Sequence, residues 1–268
     1  MHEKERAQSG DAKINRKRAQ NIISITAALA VWQAAAMLLN KPLLFASPAE
    51  VISRLFTIYK EPAFFKSIFL SVINIVSGFA LGFALALILG ALSGKRPFFE
   101  VMLRPYVTAI KTVPIASFII LALLWLSPEK LSVCISFLIV FPVFYQNTLQ
   151  GIRSVDAKLI QMAQVFNVPK NRQIKMLFLP KISPYILSAA SSASGMAWKA
   201  GVAAELIGRP DFSLGAKLYE AKIYINTADL FCYTIVIILL SSLLEKTSLY
   251  LLGKLAGGKA QIRRQSGA

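Results

Sequence analysis

Long runs without a charged residue constrain the fold of this chain most. Six such runs contain no Asp, Glu, Lys or Arg, and they cover residues 19–40, 67–94, 112–128, 131–152, 182–198 and 230–244. A helix needs about 20 mostly apolar residues to cross the hydrocarbon core of a bilayer. The apolar residues are continuous instead of alternating by two, which favours helices over the strands of a membrane barrel. The sequence therefore predicts an all-α polytopic membrane protein.

The basic composition could indicate a nucleic-acid partner, because the net charge is +17 at pH 7. In a membrane protein, however, Lys and Arg collect in loops that set orientation and contact anionic lipid. We therefore expect membrane lipid, and no nucleic acid, as the partner of these residues. Cys134 and Cys232 lie in predicted spans and His2 is the only histidine. We expect no disulfide, metal site, cofactor or catalytic residue.

Six spans are predicted, and they cover roughly residues 20–40, 67–93, 101–127, 131–150, 184–206 and 228–250. Lys and Arg are concentrated in the tail 1–19, the loop 151–183 and the tail 253–268. Because positive charge favours the cytoplasmic side, both termini and this loop are expected in the cytoplasm. A six-helix membrane domain would then occupy residues 20–252. The first apolar run is longer than the core of a signal peptide, so we expect an uncleaved first span.

A helix-start signal precedes the second span, in a loop expected outside. Ser47 and Glu50 form a capping box, and Pro48 takes the first helical position. The apolar stripe that follows consists of Val51, Leu55, Ile58 and Tyr59. We expect a short helix lying on the outer membrane interface.

The long cytoplasmic loop contains two short amphipathic segments. One face of a helix over 156–166 is apolar, and it consists of Leu159, Met162, Ala163 and Phe166. Asn167 can end this helix, because Asn tolerates the left-handed backbone that follows a helix C-terminus. Pro169 suits the first turn of a second helix, which runs towards Pro180. The pattern predicts a helix–turn–helix with a basic tip. A pair resting on lipid headgroups and a docking element both remain open at this point.

The same loop resembles a family motif. The segment GIRSVDAKLIQMAQVFNVPKNRQIKMLFLPKISPYI is similar to the cytoplasmic EAA loop of ABC importer permeases. In chain order, LFASPAEVISRLF, KTVPIASFIILALLWLS, FPVFYQNTLQGIRSVD and GMAWKAGVAAELIG are similar to segments of the nitrate/sulfonate/taurine-type permeases. The resemblance covers residues 40–252. Asn167 stands where the family usually has Gly, and Gln161 and Gln164 replace more usual acidic and basic residues.

This resemblance implies a type I ABC importer permease with six transmembrane helices in a bacterial inner or plasma membrane. The EAA loop would form a coupling helix that seats in a cleft of a cytoplasmic ATPase. The residues expected at that contact are Met162, Ala163, Val165, Phe166, Asn167, Val168, Pro169 and Lys170. The family further implies a homodimer, two ABC ATPase subunits and an extracytoplasmic substrate-binding protein. The chain itself would not be an enzyme, because ATP hydrolysis would belong to the ATPase subunit.

Two lysines lie inside predicted spans, Lys111 and Lys199. Ionisable groups within spans are costly and usually face the bundle interior or water, which indicates a translocation pathway. Snorkelling or an ion pair, for example with Glu205 of a partner subunit, remains open. The small residues 188–195 indicate close helix contact or the wall of a polar pathway. The candidate pathway residues are Lys111, Pro114, Ser191, Ser194, Trp198, Lys199 and Glu205.

Three further patterns have structural interpretations. Gly78 and Gly82 form a G-x-x-x-G spacing, which permits close helix packing. Pro114 and Pro142 are expected to kink or locally open their spans. The segment GKLAGGKA, residues 253–260, has the spacing of a phosphate-binding loop, but it lacks the Ser or Thr and follows a membrane span instead of a strand. The chain is therefore not expected to bind nucleotide itself.

Together, the residues and the resemblance predict the permease subunit of an ATP-driven importer for a small solute. Lysines in the pathway would suit a sulfonate, taurine or nitrate-like anion. Relatives of similar sequence are thought to transport thiamine-precursor pyrimidines, so that substrate class is an alternative. An ATP-independent carrier or channel is less favoured, because no matching pair of interrupted repeats is visible. A membrane enzyme would need a His, Asp or Glu cluster at the bilayer edge, and the sequence shows none.

Overall fold

The computed structural model describes residue 20, residues 23–39 and residues 44–255, and all regular structure within these ranges is helical. The helices are α1 (Ile23–Leu39), α2 (Pro48–Ile58), α3 (Pro62–Lys95), α4 (Pro97–Thr112), α5 (Ile115–Ala122), α6 (Pro128–Arg153), α7 (Ala157–Val165), α8 (Lys170–Gln173), a π-helical segment (Ile174–Phe178), α9 (Leu179–Gly208), α10 (Leu214–Ile223) and α11 (Thr227–Leu255). The predicted all-α class is confirmed. The predicted N-terminal tail, residues 1–19, lies outside the described residues. So do residues 256–268 of the predicted C-terminal tail.

The chain forms two compact units. The first comprises the described residues up to Glu61 together with Ala221–Cys232, and the second comprises Pro62–Glu220 together with the residues from Tyr233 on. Helix α11 therefore begins in the first unit and continues into the second.

Helix α2, which lies in the first unit, starts at the capping box that the sequence predicted. Glu50 N–H donates to Ser47 Oγ over 3.3 Å, and Ser47 N–H donates to Glu50 Oε2 over 2.8 Å. The apolar stripe differs from the expectation, because Val51 and Ile58 are only 1% exposed. These side chains pack within the protein. Another face of α2 is exposed instead, and it carries Ile52 and Phe56.

Arg54 ties α2 to the start of α11 within the first unit. Its guanidinium forms ion pairs with Asp229 and Glu61. The hydrogen bond to Asp229 raises the pKa of Arg54 above its usual range. Trp32 in α1 donates its indole N–H to Ala46 O over 3.1 Å. These contacts join α1, α2 and the first turns of α11.

Helix α6 is the centre of the second unit, where it packs along α3 on one side and α9 on the other. Small residues allow this close approach. A Cβ on Gly78 would overlap the carbonyl oxygen of Val133, and a Cβ on Gly82 would lie 2.9 Å from Phe137 O. The predicted use of the G-x-x-x-G spacing for close packing is confirmed. The buried face of α3 consists of Phe64, Ser67, Ser71, Ile75, Gly78, Phe79, Gly82, Ala86, Gly90 and Ser93.

The predicted count of six spans is not confirmed. Among the described residues, three helices are long and apolar enough to cross a membrane, namely Pro62–Lys95, Pro128–Arg153 and Thr227–Lys254. Helices α4 and α5 meet the criterion only as a pair, which would give four. Helix α1 is apolar but short, and α9 is long enough but rich in serine. A helix such as α9 can be less apolar because neighbouring helices, not lipid, surround much of it.

The third predicted span is broken at Pro114, where α4 and α5 meet at a bend of 102°. Val113 and Pro114 are extended, with ψ angles of 131° and 130°. Proline disfavours helical geometry at the residue before it, which explains the break. Pro142 behaves differently, because α6 continues through it as an unbroken helix. Of the two prolines predicted to kink or open a span, Pro114 therefore interrupts its helix and Pro142 does not.

Candidate coupling tip and translocation surface

The predicted loop helix is present as α7, which covers Ala157–Val165 within the predicted 156–166. Asp156 is its N-cap, and the carboxylate Oδ1 accepts a hydrogen bond from Lys158 N–H over 2.8 Å. Such a cap satisfies a backbone donor that has no partner within the helix. The start of α7 is therefore fixed by the sequence immediately around it.

Asn167 ends α7 in the left-handed conformation that the sequence predicted, with φ of 48°. Two backbone bonds close the turn. Asn167 N–H donates to Gln164 O over 3.0 Å, and Val168 N–H donates to Ala163 O over 2.9 Å. This pair of bonds is a Schellman motif. The Gln173 side chain adds a third bond by donating to Val168 O over 2.8 Å. The turn is thus fixed by backbone bonds to α7 and by a side chain of α8.

The turn presents apolar side chains that the rest of the chain does not cover. We call Met162, Val165 and Phe166 the coupling tip, and their exposed fractions are 51%, 77% and 74%. Only Ala163 of the predicted apolar face is buried, and Leu159 is half-buried. Most of this apolar face is therefore not covered by the rest of the described chain. Of the remaining predicted contact residues, Val168 is half-buried, and Asn167, Pro169 and Lys170 are exposed.

The second segment of the loop is not a separate helix ending at Pro180. Helix α8 passes into the π-helical segment and then into α9, so the backbone is helical from Lys170 to Gly208. Pro180 directly follows the π-helical segment, so its missing N–H falls where the regular hydrogen-bond pattern already changes. The predicted fifth span, 184–206, is part of this longer helical segment.

Two contacts hold the ends of the loop. Arg153 at the end of α6 forms an ion pair with Glu100 of α4. A Cβ on Gly151 would lie 3.0 Å from the Cα of Ile182, so α6 and α9 approach closely at this level. The coupling tip therefore extends from a point where three helices converge.

The structure separates the candidate pathway residues of α9 into two groups. Ser194 and Trp198 are buried, and Ser191 is half-buried. Ser191 Oγ donates to Glu245 Oε1 over 2.9 Å, and the hydroxyls of Ser194 and Ser248 lie 2.9 Å apart. These serines thus join α9 to α11.

Lys199 lies on another face of α9, and this face is open. Lys199 is exposed, as are Ser188 and Ser192, and no atom lies within 4 Å of a Cβ built on Gly195. Residues 188, 192, 195 and 199 recur at intervals of three or four, which places them on one side of a helix. We call this side the open face of α9. The helical spacing could have identified it from the sequence.

Lys111 and Pro114 are also exposed, and they lie beside the bend between α4 and α5. Lys111 Nζ donates to Gln146 Oε1 of α6 over 2.9 Å. Gln146 could not be selected from the sequence alone, because its partner Lys111 lies in another helix. No carboxylate pairs with Lys111 in the described part of the chain.

Glu205 is completely buried, in contrast to Lys199. Its Oε2 accepts hydrogen bonds from Ser71 Oγ over 2.7 Å and from Gly215 N–H over 3.2 Å. A lysine of another subunit could reach this carboxylate only if these helices separated. The geometry therefore favours a structural role for Glu205 over an intersubunit ion pair.

No group of His, Cys, Asp or Glu in residues 23–39 and 44–255 could hold a metal ion. Long apolar helices, an exposed apolar tip and two exposed lysines without a carboxylate partner in the described residues fit the membrane component of a transport system. The family model "Binding-protein-dependent transport system inner membrane component" matches residues 82–252. The chain belongs to this family.

Individual relatives agree with this classification. The "Putative aliphatic sulfonates transport permease protein SsuC" of Bacillus subtilis (strain 168) is 29% identical over 220 residues, which are 81% of this chain and 79% of that protein. The "Taurine transport system permease protein TauC" of Escherichia coli (strain K12) is 24% identical over 80% of both chains. The "Nitrate import permease protein NrtB" of Synechococcus elongatus is 24% identical over 75% of both chains.

The family confirms several predictions from the sequence. The chain is a permease subunit of an ABC importer, and it is a transport component, not an enzyme. Membership also implies a separate ATPase and a substrate-binding protein as partners. The resemblance to nitrate, sulfonate and taurine permeases is likewise confirmed.

Proposed function

We propose that this permease works as a homodimer, with the coupling tip of each copy seated in an ATPase subunit and the open faces of α9 lining a pathway for a small anion. The observation that supports this proposal most directly is the coupling tip itself. Three large apolar side chains stand on a turn fixed by a Schellman motif and by Gln173.

A fixed, exposed apolar tip suits a protein contact better than a lipid contact. Binding of a preorganised turn costs little conformational entropy, so more of the contact energy appears as affinity. Large apolar side chains in desolvated pockets often dominate such interfaces. The neighbouring Lys170 and Arg172 are exposed and would lie at the rim of the contact.

The orientation follows from the distribution of positive charge. Loop 151–183 would face the cytoplasm, together with both termini, and residues 207–227 would face outside. In this arrangement the coupling tip lies on the cytoplasmic side, where ATP is available. ATP-driven closure of the ATPase dimer would then move the tips of the two copies together. The membrane would be the inner or plasma membrane of a bacterium, with lipid around the apolar outer helices.

The open face of α9 supports the homodimer. Small residues at a helix surface allow two membrane helices to approach closely. Lys199 on the same face would be costly in lipid, by at least about 2.5 kcal/mol at the bilayer centre. Both features are explained if the face lies towards a second copy and a water-filled space between the copies.

Two exposed lysines without carboxylate partners favour an anionic substrate. Lys111 donates a hydrogen bond to the neutral Gln146, and neither lysine has an ion pair in the described residues. The names of the relatives refer to aliphatic sulfonates, nitrate and taurine, so we propose a substrate with a sulfonate or nitrate-like group. A thiamine-precursor pyrimidine is the alternative, and ligand screening of the cognate binding protein would distinguish the two.

Mutation of the coupling tip tests the proposal. Phe166→Ala should reduce copurification of the ATPase and substrate-stimulated ATP hydrolysis roughly tenfold or more, because truncating a buried Phe costs about 3 kcal/mol or more. Phe65→Ala removes another exposed ring, 62% exposed against 74% for Phe166, from the far end of α3 and serves as the control. Asn167→Gly should retain coupling, because Gly adopts the left-handed conformation freely. Normal assembly and transport in Phe166→Ala would show that the tip does not dock.

A further inference from the structure

The loop between α9 and α10, residues 209–213, is held rigidly within the second unit. Arg209 and Phe212 have left-handed backbones, with φ of 54° and 50°. Residues with side chains seldom adopt this conformation, and they keep it only when their surroundings fix it. The fixing bonds run from Arg209 N–H to Glu205 O over 2.8 Å, from Leu214 N–H to Ser71 Oγ over 2.9 Å and from Gly215 N–H to Glu205 Oε2 over 3.2 Å.

Two cations beside this loop are seated on aromatic rings instead of on carboxylates. The guanidinium carbon of Arg209 lies 4.7 Å from the centre of the Tyr219 ring, and Lys66 Nζ lies 3.4 Å from the centre of the Phe212 ring. Neither side chain has an acidic partner within the described ranges. A guanidinium stacked on a ring keeps its in-plane N–H donors available for another acceptor.

A cavity of about 380 Å³ adjoins Arg209, and its walls include Phe212, Lys217 and Tyr219. Lys217 Nζ is already paired with Glu220 over 2.6 Å. Arg209 is therefore the cation at this cavity whose charge is not matched by a carboxylate. The exposed Asp211, which with Glu220 also lines this cavity, would repel several negative charges of a long polyanion or a headgroup layer more strongly than a single one. The site thus fits a single carboxylate placed against Arg209.

We propose that Arg209, held on Tyr219, receives an acidic side chain of the substrate-binding protein when that protein docks, with Lys66 supporting the contact from Phe212. The inference rests on the proposed orientation, which places residues 207–227 outside. A carboxylate matches the fork of a guanidinium with two parallel hydrogen bonds. The family description names dependence on a binding protein, and in the proposed orientation that protein would dock on this side of the permease.

The test uses the complete permease–ATPase complex in nanodiscs of zwitterionic lipid. The probe is the purified cognate substrate-binding protein, titrated against the rate of ATP hydrolysis by the complex. Arg209→Gln should raise the concentration of binding protein that gives half-maximal stimulation by roughly tenfold or more. Arg209→Lys and Tyr219→Leu should give smaller increases. Basal hydrolysis should not change. Lys222→Gln, an exposed lysine on the same helix as Tyr219, should behave like the wild type.

The two Arg209 variants impose the same backbone demand, so a difference between them reports side-chain charge and geometry and not folding. Wild-type stimulation in Arg209→Gln would overturn the proposal, as would an equal loss in Lys222→Gln. A defect seen only with phosphatidylglycerol in the nanodiscs would assign the site to lipid. Loss of free ethanesulfonate binding in Arg209→Gln, without the binding protein, would assign it to a small anion. Absence of any stimulation of the wild type would overturn the proposed function and this inference with it.

Discussion

Ser71 in α3 donates its hydroxyl to Glu205 in α9 across 2.7 Å, although 134 positions separate the two residues in the sequence. The same hydroxyl accepts Leu214 N–H, and the same carboxylate accepts Gly215 N–H. All four residues are buried. This small polar cluster therefore connects two long helices with the first turn of α10.

Removal of the Glu205 carboxylate should destabilise the permease. Glu205→Ala leaves the buried Ser71 hydroxyl and Gly215 N–H without this acceptor, which costs about 1–3 kcal/mol for each such group. Glu205→Gln retains a carbonyl oxygen and should be much closer to the wild type. Thermal unfolding of the purified protein in detergent measures the difference. Equal stability of Glu205→Ala and Glu205→Gln would contradict the structural role.

Two glycines should respond differently to a single methyl group. Gly78→Ala places a Cβ against the backbone of α6, and overpacking of this kind costs roughly 1–3 kcal/mol. Gly195→Ala places a Cβ in open space, so the isolated subunit should tolerate it. The midpoint of thermal unfolding should fall for Gly78→Ala and stay near wild type for Gly195→Ala. Identical midpoints would contradict the close α3–α6 packing.

Cysteine cross-linking tests whether the open face of α9 meets a second copy. In a background without Cys134 and Cys232, Ser192→Cys should form a covalent dimer on mild oxidation in membranes. Leu239→Cys, on an exposed apolar position of α11, should remain monomeric because it would face lipid. The ratio of dimer to monomer on a non-reducing gel is the measurement. Dimer formation through Leu239→Cys alone would place the interface elsewhere.

Lys199 should affect transport without affecting assembly. Lys199→Met keeps most of the side-chain length but removes the charge, so uptake of an anionic substrate should fall several-fold while basal ATP hydrolysis persists. Lys199→Arg should retain more uptake than Lys199→Met. Lys246→Met changes an exposed lysine of α11 and is the control. Loss of complex assembly in Lys199→Met would indicate a structural role instead.

Accessibility labelling tests the proposed orientation. Lys170→Cys and Tyr224→Cys, each in the cysteine-free background, should react from opposite sides of the membrane with an impermeant maleimide. Tyr224 is 80% exposed, so its replacement should be reachable in intact cells. Lys170→Cys should react only after the membrane is opened. Reaction of both variants in intact cells would contradict the assignment of residues 151–183 to the cytoplasm.

Features that depend on neighbouring residues were predictable from the sequence. The capping box of Ser47 and Glu50, the left-handed turn at Asn167 and the break at Pro114 each follow from a few adjacent residues. The coupling loop could likewise be identified, because its helix and turn signals lie close together in the chain. The extent of the loop differed from the prediction, because its second helical segment does not end near Pro180 but continues into α9.

Features that depend on distant partners were not predictable. Lys199 and Glu205 both looked like charges inside one span, yet one is exposed and the other is completely buried. The burial of Glu205 is set by α3 and α10, which the sequence of α9 does not specify. The predicted number of spans was not confirmed for a related reason, because serines that bond to α11 make α9 less apolar than a helix in contact with lipid.

The unbroken helical backbone from Lys170 to Gly208 has a mechanical consequence. No loop lies between Lys170, next to the coupling tip, and Lys199, but the hydrogen-bond ladder changes at the π-helical segment and lacks a donor at Pro180 and Pro184. A helix transmits force along its axis through this ladder, with a rise of about 1.5 Å for each residue. A push from the ATPase would therefore move the part of α9 beyond Pro184 as a stiff rod. The bending points would lie between Ile174 and Pro184, on the tip side of that rod.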